Sequence, residues 1–165
     1  MSAFFSDRLA LIASLCLAAV AAALVSQHVF DMAPCAWCVF QRLIYLAIAL
    51  ICIVLKVIGR GSAGSVRVGG VFCFLLAAAG VAAAWYQYSV ASNLFTCDLT
   101  FADRFMVNSG LDASIPWLFG IYASCMDARV NVLGIEYALW SLALFVVVGL
   151  LGTLAIIKPK AKRQP

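Results

Sequence analysis

Seven cysteines carry most of the chemistry available to this 165-residue chain. Cys35 and Cys38 form a C-x-x-C sequence, a spacing typical of dithiols that are oxidised and reduced reversibly. The chain has seven acidic residues and one histidine, and this composition disfavours carboxylate-pair enzymes and metal hydrolases. The residue types and their spacing therefore favour thiol chemistry.

Membrane-spanning helices must position these cysteines. Hydrophobic residues make up 66% of the chain and charged residues 11%, which excludes a water-soluble globule. We predict a single all-α domain over residues 1–165, an integral membrane four-helix bundle. Its spans cover about residues 9–27, 40–58, 66–87 and 137–157, with two outer loops at about 28–39 and 88–136.

Basic residues predict the orientation of the bundle, because cytoplasmic segments beside membrane spans retain an excess of Lys and Arg. Eight basic residues fall near the chain ends and the turn between the second and third spans, against three near the opposite ends of the spans and in the outer loops. The eight are Arg8, Lys56, Arg60, Arg67, Lys158, Lys160, Lys162 and Arg163, and the three are Arg42, Arg104 and Arg129. We therefore expect both termini in the cytoplasm.

The first apolar run, residues 9–25, also has the character of a secretory signal peptide. It is longer than the apolar core of such peptides, and no clear small-residue cleavage site follows it before His28. We therefore expect this run to remain as the first span.

The cysteines divide between the spans and the outer loops. Cys16, Cys52 and Cys73 fall inside predicted spans, where a free thiol packs as a small apolar group without reacting. The four in the outer loops are Cys35, Cys38, Cys97 and Cys125. Thiols outside the cytoplasm form disulfides, so these four predict two bridges with three possible pairings.

The four outer cysteines have two alternative uses. A structural zinc site normally has a second closely spaced pair, whereas Cys97 and Cys125 lie far apart, so we expect no metal. Two purely structural disulfides are the other alternative. A bridge within C-x-x-C closes a very short ring that stabilises a fold little, and this favours redox use.

Arg42 follows Cys38 by four residues, one turn further along the second predicted helix. Pro34 indicates the start of that helix, where N–H groups and the helix dipole favour a nearby thiolate. A guanidinium in apolar surroundings can hydrogen-bond a carbonyl oxygen that becomes negative on reduction, such as that of a membrane quinone. The alternative is that Arg42 only anchors the span at the membrane interface.

The second outer loop is too long for a simple connector. Its apolar stretch at residues 115–122 is too short to span, and we expect it to lie at the membrane surface. The alternative is an ordinary turn packed against the bundle. Either arrangement anchors the segment between Cys97 and Cys125 near the membrane.

The chain resembles the DsbB family of quinone-linked disulfide-generating membrane proteins over nearly its whole length. The resemblance rests on four spans and on the order of several short motifs. The matching residues are Gln27-His28-Val29, Pro34-Cys35, the C-x-x-C-x-x-x-R sequence at Cys35, Cys38 and Arg42, Phe95-Thr96-Cys97-Asp98, Cys125, and Trp140 in the fourth span.

The resemblance implies an enzyme of the bacterial inner membrane. Cys97 and Cys125 would oxidise a soluble periplasmic thioredoxin-fold partner similar to DsbA, with Cys97 in the mixed disulfide. Cys125 would then exchange with Cys35, and Cys38 would pass the electrons to ubiquinone or menaquinone beside Arg42.

The sequence departs from the family at one point. Some members have a histidine near the outer end of the third span, where this chain has Trp85-Tyr86-Gln87-Tyr88. Gln87 or Tyr88 would then supply a hydrogen bond to the quinone instead.

Other functions remain open on the sequence alone. A non-catalytic four-span scaffold would hold two inert disulfides, and a reductant exporter would run the electrons in the opposite direction. A small transporter is disfavoured, because no charged residue lies deep within a predicted span.

Overall fold

The computed structural model describes residues 8–59, 62–91 and 100–159. Its elements are α1 (Arg8–Val29), α2 (Ala36–Ile58), α3 (Ala63–Ser89), α4 (Phe101–Ser109), α5 (Leu111–Ser114), α6 (Pro116–Phe119), β1 (Asn131–Val132), β2 (Ile135–Glu136) and α7 (Tyr137–Ile157). In these ranges α1, α2, α3 and α7 are long and apolar enough to cross a membrane. The predicted fold class, an all-α integral membrane four-helix bundle, is confirmed.

Helix α2 begins closer to the C-x-x-C sequence than the span expected from about residue 40. Cys35 is its N-cap residue, with extended backbone angles, and the Val39 N–H donates to the Cys35 carbonyl oxygen at 3.0 Å. The helix therefore continues outward beyond its most apolar stretch. Cys38 consequently lies in the first turn, one turn before Arg42.

The long helices associate unequally, with the most extensive packing between α3 and α7. Glycines let these two backbones approach, since a Cβ on Gly70 would lie 2.7 Å from the carbonyl oxygen of Gly152. Helix α1 packs mainly on α2, and α1 and α7 touch at far fewer points. At that junction Arg8 donates to the Leu154 and Lys158 carbonyl oxygens. The bundle is therefore tight along α3–α7 and looser along α1–α7.

The outward faces of the bundle are apolar as well as its core. Leu50, Ile58, Leu75 and Leu150 are each more than half exposed on the long helices. Such a surface would be unfavourable in water but matches the hydrocarbon of a bilayer. The chain is therefore a multi-pass membrane protein.

The described part of the long loop folds against the outer end of α2. Helix α4 begins with a capping box between Thr100 and Asp103, in which the Thr100 N–H donates to the carboxylate at 2.9 Å. The rings of Phe101 and Phe105 pack edge-on against Phe40, with centroids 5.9 and 5.4 Å away. The loop therefore forms a cap over the C-x-x-C end of the bundle.

Helix α6, in the apolar stretch at residues 115–122, is joined to the first loop region. The N–H groups of Tyr122 and Ala123 both donate to the Pro34 carbonyl oxygen, at 3.0 and 3.3 Å. The His28 Nε2 atom lies 3.0 Å from the Trp117 carbonyl oxygen. These connections bring the chain after residue 123 alongside the start of α2.

Candidate redox site

The two C-x-x-C sulfurs lie together at the outer end of α2. The Sγ atoms of Cys35 and Cys38 are 2.9 Å apart, within hydrogen-bond reach of each other. Cys35 is fully buried, whereas Cys38 is half-buried. A small movement would bring these sulfurs to the bonding distance of about 2.05 Å.

Cys125 of the long loop is the third sulfur of this cluster. Its side chain hydrogen-bonds Cys35, a contact made possible by the bonds from Tyr122 and Ala123 to Pro34. The hydrogen bonds of Cys35 to Cys125 and Cys38, together with burial, raise the pKa of the Cys35 thiol well above its ordinary value. Cys35 therefore holds its proton at neutral pH.

Cys97, the fourth predicted site residue, lies outside the described residues. The described chain resumes at Thr100, the N-cap residue of α4, which packs on the outer end of α2.

Two glutamines connect to the Cys38 sulfur. Gln87 of α3 donates from Nε2 to the Cys38 Sγ at 3.2 Å, and Gln41 of α2 donates to the Gln87 Oε1 at 2.6 Å. Both side chains are at least nine-tenths buried. A hydrogen bond donated to sulfur favours its anionic form, so this chain of amides favours a thiolate at Cys38. Gln87 was predicted from the sequence only as a hydrogen-bond donor to quinone, and Gln41 was not predicted at all.

Arg42 is buried and held by three hydrogen bonds. Its Nη1 atom donates to the Gln27 Oε1 at 2.6 Å and to the Leu118 carbonyl oxygen at 3.0 Å, and Nη2 donates to the Ala23 carbonyl oxygen at 3.3 Å. All three acceptors are uncharged, so these bonds fix the guanidinium without neutralising it. Since a guanidinium has five N–H groups, two remain beyond these three bonds.

Only 5% of the Arg42 surface is exposed, so its side chain points into the bundle. A snorkelling anchor would instead place its charge in the interfacial water. Gln27, whose only signal in the sequence was its place in a family motif, supplies the one side-chain oxygen among the three acceptors that hold this guanidinium.

A cavity of about 210 Å³ lies beside Cys38 and Arg42. Gln41, Tyr45 and Gln87 add polar groups to a wall otherwise dominated by alanine and other apolar side chains of α1 and α7. Two wall residues, Ala22 of α1 and Trp140 of α7, are themselves exposed. The cavity therefore opens between α1 and α7, where packing is sparse, toward the apolar outward face of the bundle.

The described residues contain no group of three or more His, Cys, Asp or Glu side chains able to hold a metal ion. The donor set at the cavity instead fits a flat ring with carbonyl oxygens. Arg42 can hydrogen-bond such an oxygen, and the apolar walls can pack against the ring.

A family model described as Disulfide bond formation protein DsbB matches residues 7–155 of this sequence. The chain belongs to the DsbB family. Several relatives are named Disulfide bond formation protein B. The relative from Herminiimonas arsenicoxydans is 34% identical over 141 residues, covering 84% of this chain and 85% of the relative. The one from Psychromonas ingrahamii is 32% identical over 166 residues, covering 93% and 84%.

Membership of the DsbB family establishes a role in disulfide bond formation. In the described part of the chain, Cys35, Cys38 and Cys125 lie together at the C-x-x-C end of α2.

Proposed function

We propose that this chain reoxidises a soluble periplasmic thioredoxin-fold oxidase similar to DsbA and passes the electrons to a membrane quinone, either ubiquinone or menaquinone. The observation that carries the proposal is a single cavity, open toward lipid, lined by both the Cys38 thiol and the Arg42 guanidinium. Sulfur chemistry and a site for a ring with carbonyl oxygens therefore meet at one place.

The partner side of the reaction is thiol–disulfide exchange. A thiolate of the reduced partner attacks Cys97 of a Cys97–Cys125 disulfide, forming a mixed disulfide and releasing Cys125. The second partner thiol then displaces Cys97, so the partner leaves oxidised and this pair holds two electrons and two protons.

The next exchange transfers these electrons to the C-x-x-C pair. Cys125 attacks Cys35 of a Cys35–Cys38 disulfide and releases Cys38, a step supported by the hydrogen bond between Cys125 and Cys35. Cys97 then attacks Cys125, restoring their disulfide and releasing Cys35. Because the pKa of Cys35 is raised, Cys35 takes the proton and the negative charge stays on Cys38.

The residues of the cavity prepare the final transfer. Gln87 stabilises the Cys38 anion, and Arg42, fixed by Gln27, presents its remaining N–H groups to a carbonyl oxygen. A bound quinone supplies a two-electron, two-proton acceptor. The apolar walls exclude water, which strengthens both polar interactions.

The proposal includes the orientation of the bundle in the inner membrane. Both termini lie in the cytoplasm, and α4–α6 with the C-x-x-C end of α2 face the periplasm. The excess of basic residues near the chain ends supports this arrangement.

The test is anaerobic mixing of the purified chain with a reduced thioredoxin-fold partner and a short-chain quinone, followed by quinone absorbance. Cys38→Ala should abolish quinone reduction, because it removes the proposed electron donor. Cys16→Ala, which also removes a buried helical thiol, should retain it. Normal turnover by Cys38→Ala would contradict the proposal, and partner oxidation that is independent of quinone would favour a different electron route.

A further inference from the structure

Two cysteines outside the redox site meet inside the bundle. Cys52 of α2 and Cys73 of α3 are fully buried, and their Sγ atoms lie 3.0 Å apart. This separation is close to the 2.9 Å between Cys35 and Cys38. From the sequence we expected the thiols within the spans only to pack as small apolar groups. That expectation did not include a second pair of sulfurs in contact.

This pair lies far from the outer thiols. Cys52 follows Ala36 by sixteen residues and Cys73 precedes Ser89 by sixteen, so each lies about 24 Å from the outer end of its helix. The matched depth explains why the two sulfurs meet. It also excludes direct exchange with the Cys35–Cys38 pair without large movement of the bundle.

We propose that Cys52 and Cys73 form a second dithiol–disulfide couple, which a lipid-soluble quinone oxidises and which covalently joins α2 to α3. In this step both S–H bonds break and one S–S bond forms. Two electrons and two protons pass from the thiols to the quinone, leaving the hydroquinone. The proposal rests on the proposed function only in its choice of quinone as oxidant.

The environment of the pair determines which reagents can reach it. Both side chains have no exposed surface, and lipid-facing helices surround them, so charged reductants in water are excluded. A lipid-soluble oxidant reaches them only when α2 and α3 separate locally. Oxidation should therefore be slower than at the half-buried Cys38, and the bond should persist once it forms.

The bond would affect the outer site through the two helices that it joins. Helix α2 carries Cys38 and helix α3 carries Gln87, the donor to its sulfur. A covalent link further along these helices restrains their relative sliding and rotation. The second couple therefore fixes the relative positions of the helices that carry the Cys38–Gln87 bond.

The test uses the full-length chain with Cys35, Cys38, Cys97 and Cys125 all changed to Ser, reconstituted in lipid nanodiscs. Three thiols then remain. The chain is incubated with a fully ring-substituted short-chain benzoquinone, then denatured and alkylated. The number of alkylated thiols per chain, measured by intact mass, should fall from three to one. Peptide mapping should show the fragments containing Cys52 and Cys73 linked, with Cys16 alkylated.

Matched variants identify the pair in the same background. Adding Cys16→Ser leaves Cys52 and Cys73, and both should become resistant to alkylation after quinone treatment. Adding Cys52→Ser leaves Cys16 and Cys73, and both should stay alkylatable. Three persistent thiols, or loss of Cys16 as readily as Cys52, would overturn the proposal. Because this background lacks every outer cysteine, the result does not depend on whether the outer route reduces quinone.

Reduction of the Cys52–Cys73 disulfide provides a second readout. A charged phosphine should fail to reduce the bond in the folded bundle and should reduce it after unfolding in detergent. Rapid reduction in the folded state would contradict the isolation of the pair from water.

Discussion

At the scale of residues, the site depends on four buried polar side chains of the described structure: Gln27, Gln41, Arg42 and Gln87. An unpaired polar group costs several kcal/mol inside a membrane protein, so each must have a partner. Here the partners are one another, backbone carbonyl oxygens and the Cys38 sulfur. The same hydrogen bonds that satisfy these groups also set the geometry of the site.

Gln87→Leu should slow the transfer of electrons from Cys38. It removes a hydrogen bond that stabilises the Cys38 thiolate, worth ~1.5 kcal/mol, so about tenfold less of the pre-reduced Cys38 should be in the reactive anionic form. The measurement is single-turnover quinone reduction by the pre-reduced chain. Ser89→Ala, which removes an exposed hydroxyl of the same helix that does not line the cavity, is the control, and equal rates for both variants would remove Gln87 from the mechanism.

Cys35 should show an unusual pH dependence of alkylation. Its raised pKa keeps the reactive thiolate scarce, so its alkylation rate in the reduced chain should still be rising with pH above the ordinary thiol value of 9.0. Cys125→Ala removes the hydrogen bond that contributes most to the raised pKa and should shift the profile to lower pH. Timed iodoacetamide labelling with mass analysis of the Cys35 peptide measures this, and an unshifted profile would contradict the contact.

At the scale of elements, glycine determines how closely α3 and α7 approach. Gly80 of α3 faces the ring of Phe145, leaving no space for a side chain, and that ring stacks on Tyr45 of α2 with centroids 4.1 Å apart. Three of the long helices thus meet at one aromatic ring, so this contact aligns α7 with α2 just below the cavity.

Gly80→Ala should lower the thermal unfolding midpoint, since its added methyl group overlaps the Phe145 ring and costs ~1–3 kcal/mol. Gly64→Ala in the same helix meets no atom within 4 Å and should be neutral or stabilising. In a Phe145→Leu background the cost of Gly80→Ala should shrink. Equal thermal unfolding midpoints for Gly80→Ala and Gly64→Ala would show that α3 and α7 can move apart to accept the added methyl group at no cost.

At the scale of the whole molecule, unequal helix packing decides where a ligand from the bilayer can reach the sulfur. The tight α3–α7 contact closes one side, while the looser α1–α7 junction leaves the cavity beside Cys38 and Arg42 open. Above it, the loop containing α6 joins Pro34 and covers the C-x-x-C end. In the proposed mechanism the soluble partner would therefore reach the loop cysteines from the covered end, and the quinone would reach Cys38 from the side of the cavity.

Ala22→Phe should narrow the α1–α7 opening and raise the KM for a short-chain quinone about tenfold, or ~1.4 kcal/mol. Thiol exchange with the soluble partner should be unchanged, because the substitution lies on the lipid side. Ala21→Phe is the matched control, since Ala21 is also exposed but does not line the cavity. An unchanged KM in Ala22→Phe would place quinone access elsewhere.

The sequence alone predicted the four apolar helices, the division of the cysteines between span interiors and the C-x-x-C and loop positions, and the family resemblance. Each of these signals is local: an apolar run, a loop position or a short motif can be found without knowing which helices touch. The C-x-x-C sequence and Arg42 could be assigned to one helix end because both lie within two turns of α2.

Tertiary structure alone decided which side chains meet across helices. Gln27 on Arg42, Gln41 on Gln87 and Cys52 beside Cys73 depend on the rotation and relative depth of packed helices, and Cys125 reaches Cys35 because the loop after α6 is bonded to Pro34. These helices are apolar on nearly every face, because lipid accepts the same side chains as the core does. Hydropathy therefore cannot show which face turns inward, and close packing with buried hydrogen bonds selects it.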